Sequence, residues 1–69
     1  MIEELDVVAL LVERPDLKLS KGSVGTVVAV FGDHEAFEVE FVDPEGQTYG
    51  LETFPLSELL KLHHRVEAA

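Results

Sequence analysis

Polar and apolar positions alternate most regularly in AFEVEFV. Phe37, Val39 and Phe41 fall on one side of an extended strand, and Glu38 and Glu40 on the other. LDVVALLVE also reads as a strand, because it is apolar, β-branched and free of Gly and Pro. SVGTVVAVF is a further strand, in which Gly25 marks a bulge or a sharp coil. QTYGLETF and the short LLKLHHRV complete a set of five. RPDLKLSKG is a long loop, with Pro15 blocking strand pairing and Gly22 closing it. GDHE is a tight connection. In DPEG, Asp43 is placed to bond back to the backbone, Pro44 presets φ, and Gly46 accepts a positive φ. PLSEL is one helical turn with Pro55 at its first position.

This order predicts an all-β fold: a small five-stranded SH3-like barrel with one short helical turn before the last strand. A single domain spans 1–69, with a frayed tail at about 66–69. Glycines serve the corners where strands coil between the two halves of a tiny barrel. The expected core is Val8, Leu10, Val24, Val28, Val30, Phe37, Val39, Phe41, Tyr49, Leu51, Leu59 and Leu62.

Two strands break the pattern. A strand with one wet face alternates, but VVALLV and VVAVF are apolar at every position. With Val8, Leu10 and Val12 inward, Val7, Ala9 and Leu11 point outward; with Val28 and Val30 inward, Val27, Ala29 and Phe31 do. Something covers that second face. Within the chain, Leu17 and Leu19 of the first loop or the C-terminal segment are the candidates. Otherwise the face is an interface, for a second copy or for a cognate partner. Its candidate residues are Val7, Ala9, Leu11, Val27, Ala29 and Phe31, with Glu38 and Glu40 as a charged docking surface.

Charge narrows the partner. The chain has 14 acidic and 5 basic side chains, a formal net charge of −9. Each phosphate contact needs a cation, and the five basic residues are scattered, three of them within 14–21. A basic protein is therefore the natural attractant. Nucleic acid is disfavoured. The alternative reading, an RNA- or ribosome-associated barrel, would use Lys18, Lys21 and the stretch Gly22–Gly25. The N-terminus is acidic where a signal peptide is basic. The longest apolar run, VVALLV, falls far short of the roughly 20 residues a membrane helix needs. No cysteine is present, which suits a reducing cytoplasm and excludes thiolate zinc sites.

Catalytic and cofactor signals fail on spacing. Lys21 precedes its glycines and a strand follows, whereas a phosphate loop opens a helix with lysine after the second glycine. Glu38 and Glu40 have the spacing of a glycosidase pair, but an outward strand face gives neither a cleft nor a raised pKa; their plain role is to discourage edge pairing. Asp43 and Glu45 lack the ligand series of a calcium loop. His63 and His64 are neighbours on a strand and diverge, and His34 lies in a turn. Ser20, Ser23 and Ser57 have no nucleophile setting. The expectation is a non-enzymatic protein with no cofactor, metal or small-molecule substrate.

DVVALL (Asp6–Leu11), KGSVGTVV (Lys21–Val28), FEVEFVDPEGQT (Phe37–Thr48) and the leucines Leu59, Leu60 and Leu62 together carry a resemblance over roughly residues 5 to 62. The chain resembles a bacterial family of short proteins known as a domain of unknown function. The resemblance implies an SH3-like barrel and no settled activity. Members are often encoded beside another small protein, which implies an antitoxin-like or other two-protein arrangement. No catalytic residues come with it. KGSVGTVV is also similar, more loosely, to the KOW-type barrels of ribosomal and transcription proteins, from which this chain departs in lacking their basic surface.

Overall fold

The computed structural model describes residues 1–63, in which five strands form one antiparallel sheet. They are β1 (Val7–Leu10), β2 (Val24–Phe31), β3 (Ala36–Val42), β4 (Thr48–Pro55) and β5 (Leu59–Lys61). The order across the sheet is β4-β3-β2-β1-β5. The fold is all-β, and among the described residues its helical pieces are single 3₁₀ turns at Pro15–Leu17 and Leu56–Glu58. The second is the turn expected before the last strand, with Pro55 ending β4 instead of opening the turn. β5 stops at Lys61, and the rest of the expected last strand from His64 on, with the expected tail, lies outside the described residues.

Local chemistry builds the connections. In DPEG the Asp43 carboxylate accepts from the backbone N–H of Glu45 (3.0 Å) and of Gln47 (2.9 Å). Gly46 takes φ 84°, which L side chains rarely adopt. In the first loop, Arg14 and Leu19 exchange backbone hydrogen bonds around the 3₁₀ turn, 2.9 Å and 3.0 Å. That small hairpin turns Leu19 into the core.

Four cross-strand rows make up the inner face, the one at the β1–β5 end being Leu10 and Leu59. Val30, Phe37 and Phe54 form one, and Val27, Val39 and Glu52 the next. In the third, Val8 pairs with Gly25 and Phe41 with Gly50. The Phe41 ring lies between those two glycines and meets Phe54 edge to face at 6.0 Å. A Cβ on Gly25 would stand 2.6 Å from Val39 Cγ1 and 2.8 Å from the Glu40 carbonyl oxygen. Gly25 thus permits β2 and β3 to close on each other, and the bulge expected there lies elsewhere.

The buried core is Ile2, Val8, Leu10, Leu19, Val27, Phe37, Val39, Phe41, Phe54 and Leu59. Six of the expected core residues fall outside it. Val24, Tyr49 and Leu51 are exposed, while Val28, Val30 and Leu62 are only partly buried, Val30 packing against the core. The register explains the strand positions. β2 and β3 shift between Val27 and Ala29, so Val28 is an extra residue. Before it Gly25 and Val27 point inward and Val24 outward; after it Val30 points inward. β3 and β4 shift between Phe41 and Val42, leaving Tyr49 extra. Gly50, Glu52 and Phe54 then face inward and Leu51 outward.

Ile2, from ahead of β1, closes the core. Its segment is held by Asp6, whose carboxylate accepts the Glu3 N–H at 2.7 Å and sits 3.2 Å from Lys61 Nζ. Lys61 also donates to the Met1 carbonyl, 3.2 Å. Those contacts hold the Asp6 carboxyl below its ordinary value, the Glu3 N–H most and Lys61 next.

Candidate partner-binding face

The register places the outward residues in rows. Leu60, Ala9 and Val24 form one row across β5, β1 and β2. The adjoining row runs from Val7 through Thr26 and Glu40 to Leu51. Val7 is 38% exposed, Leu11 40%, Val24 50% and Leu60 51%. These side chains make an apolar region on β5, β1 and the start of β2. Leu17 and Leu19, expected as internal covers for it, pack on or in the core on the other side of the sheet; the C-terminal segment, the other expected cover, lies outside the described residues from 64 on. Further along, Ala29 stands opposite Glu38, and Phe31 opposite Ala36. Phe31 is exposed, about 20 Å from Val24 at ordinary strand rise.

Of the eight residues expected on this face, Val7, Ala9, Leu11, Ala29, Phe31, Glu38 and Glu40 take outward positions, Ala9, Ala29, Glu38 and Glu40 partly buried there. Val27 does not. It is fully buried, at 0% exposure, because the bulge at Val28 reverses the phase of the strand before it. Val24 and Leu60 belong to the face and were missed. Val24 was hidden by the same bulge, and Leu60 by a three-residue strand too short to show alternation.

The face is acidic at its β3 end. The Glu40 carboxylate accepts from Thr48 Oγ1 at 3.0 Å, and no basic residue lies beside Glu38 or Glu40 in their rows. Cations sit elsewhere. Arg14 Nη2 is 3.2 Å from Asp16 Oδ2, and the guanidinium lies 5.7 Å over the Phe54 ring. That pairing, through its hydrogen bond, holds the Asp16 carboxyl below its usual range. Lys61 is engaged with Asp6 and Met1. Among the described residues, Lys18 and Lys21 are exposed and make no ion pair. Gly25, offered above as part of a nucleic-acid contact, faces Val39 and Phe41 in the core.

His34 takes φ 60° in the β2–β3 turn and meets Glu3 Oε1 at 3.1 Å, a pairing that sequence spacing could not show. No group of three His, Cys, Asp or Glu residues among those described could hold a metal ion. No helix among them is long and apolar enough to cross a membrane.

No curated protein and no solved structure matches this chain. A family described as Domain of unknown function (DUF4926) matches residues 4–61, from ahead of β1 to the last residue of β5. The match takes in the whole sheet and its outer face, and the chain belongs to the DUF4926 family.

Proposed function

We propose that this chain is a non-enzymatic protein-binding module that docks a basic protein on the outer face of its sheet. The observation that carries this reading is the exposure of Val7, Leu11, Val24 and Leu60 on one face, with Glu38 and Glu40 on the same face. Exposed apolar residues gathered on one face are the mark of an interaction surface, and their burial would hold the complex. The carboxylates would select and steer the partner. A second copy is a poor occupant, since a chain of net charge −9 repels itself.

The sheet itself is read as an SH3-like barrel, supported by the order β4-β3-β2-β1-β5 and the 3₁₀ turn before β5. The bacterial family resemblance adds the expectation that the partner is encoded nearby, in an antitoxin-like arrangement in the cytoplasm. Among the described residues the RNA-associated alternative is left with Lys18 and Lys21, few cations for phosphate binding against this net charge.

Native co-purification of the tagged chain from its own host, washed at low and then high salt, tests the proposal. One basic protein should be recovered and survive high salt in part, and Val24→Asp and Leu60→Asp variants that keep their circular dichroism should lose it. Recovery of RNA or ribosomal proteins instead, or a partner held equally by those variants, rejects the reading.

A further inference from the structure

The strand at one margin of the sheet carries the next inference. β4 is eight residues long, and among the described residues its one strand partner is β3. Among the described residues no backbone hydrogen bond reaches β4 from its other side. In an antiparallel strand every second residue turns its N–H and C=O away from a given neighbour. β4 therefore offers a row of open donors and acceptors, a template for another strand.

Its surroundings select the visitor by charge. Residues 22–60 include eight acidic side chains and no Lys or Arg. Five of the eight, Glu38, Glu40, Asp43, Glu45 and Glu52, lie on β3, on β4 or in the turn joining them. A strand added to β4 would run beside Leu51 and Thr53 on the outer face. Glu38 and Glu40, in the next strand, would lie about 10 Å from it at ordinary strand spacing, within reach of lysine stems. On the inner face it would meet Glu52, which points inward opposite Val39 and shares that side with Arg14, so the selection for cations rests on Glu38 and Glu40 of the outer face. An inward carboxylate on an edge disfavours a strand that is apolar on both faces. A second copy is disfavoured too, because it brings the same net charge of −9.

We propose that the free edge of β4 accepts an extended, lysine- or arginine-bearing segment of a protein partner as a sixth strand. This rests on the reading of the chain as a module for a basic protein and adds how that protein is gripped: main-chain bonds supply affinity and the carboxylates choose the sequence.

The test uses two synthetic probes and the intact chain. One is an eight-residue peptide alternating lysine and valine. The other has the same sequence and charge but carries N-methyl groups on alternate residues, which remove the donors of one edge. Amide exchange and chemical shifts of the labelled chain are read on titration at low salt. The unmodified peptide should slow exchange at alternate residues of β4, and the N-methylated one should bind at least about tenfold more weakly, since several hydrogen bonds are lost. Equal binding of the two, absence of binding, or shifts confined to Val7, Val24 and Leu60 would overturn strand addition. The two readings fail separately. If the peptide leaves β4 unprotected while Val24→Asp still releases a captured basic protein, the edge is wrong and the outer face stands. If β4 is protected while Val24→Asp and Leu60→Asp retain the partner, the edge stands and the face is wrong.

Discussion

Gly25 and Gly50 flank the same aromatic ring, and adding one methyl group to each should give opposite results. In Gly25→Ala the new Cβ would meet Val39 Cγ1 at 2.6 Å, the Glu40 carbonyl oxygen at 2.8 Å and Phe41 Cδ1 at 3.0 Å. The valine methyl can rotate away. The carbonyl belongs to the β2–β3 ladder and moves only if the strands part. Overpacking of this kind costs about 1–3 kcal/mol, offset by about 0.4–1 kcal/mol from the stiffer unfolded chain. A net loss of about 1–2 kcal/mol follows, out of roughly 3–10 kcal/mol for 69 residues. In Gly50→Ala the nearest atoms are Phe41 Cδ2 at 3.4 Å and Phe41 Cβ at 3.7 Å, an ordinary fit. That variant should be neutral or gain up to about 1 kcal/mol. With no Trp and one Tyr in the chain, urea unfolding followed by far-ultraviolet circular dichroism is the suitable assay. Adding Val39→Ala to Gly25→Ala should not restore stability, because the clash with the carbonyl persists. Equal stability of the two single variants within about 0.5 kcal/mol would refute the close approach of β2 to β3.

Other substitutions separate the two faces of the sheet. Val27→Asp puts a carboxylate at a fully buried position and should cost at least about 3 kcal/mol, whereas Val24→Asp, three residues earlier, should fold with a melting temperature near the parent's; the reverse order would remove the bulge at Val28. Phe41→Ala should cost about 3–5 kcal/mol by chemical denaturation, and a loss under about 1 kcal/mol would take Phe41 out of the core. Acid should loosen the N-terminal segment. The Asp6 carboxyl is lowered in the folded state, so its contribution is present above the unfolded value of 3.8 and lost as pH falls through the folded one. Asp6→Asn should reduce the slope of stability against pH in that acidic range, and an unchanged slope would detach Asp6 from Glu3 and Lys61.

β3 was legible because one of its faces is wet: Glu38 and Glu40 mark the outside, and Phe37, Val39 and Phe41 the inside. The DPEG turn was legible because its chemistry is local, closed within five residues by the Asp43 carboxylate. β2 was not, for a physical reason. Its residues are nearly all apolar, so nothing in the pattern signals that Val28 is extra and that the phase turns over there. β4 misled in the other direction. Its inward positions are filled by Gly50 and Glu52 beside Phe54, and its apolar Leu51 points out, so hydrophobicity assigned the faces backwards. Glu52 is tolerable inward because it is only partly buried and on the same side as Arg14, which it helps to keep charged. Leu19 and Ile2 reach the core from outside the strands, where periodicity has no say.

The same bulges decide what can be claimed for the binding face. A strand apolar on both sides has two explanations, a second internal layer or a docking surface, and a pattern cannot choose between them. Register can. With Leu17 and Leu19 committed to the core, neither loop leucine covers the outer side of β1 and β2. Val24 and Leu51 then acquire meaning that the pattern denied them: both are branched apolar side chains turned outward by a bulge in their own strand. Threonine at those positions would satisfy strand propensity without exposing as much apolar surface, as Thr26 and Thr53 do in neighbouring outward positions. Val24, Leu51 and Leu60 exceed what the fold requires, and apolar exposure beyond that need is where a partner is sought.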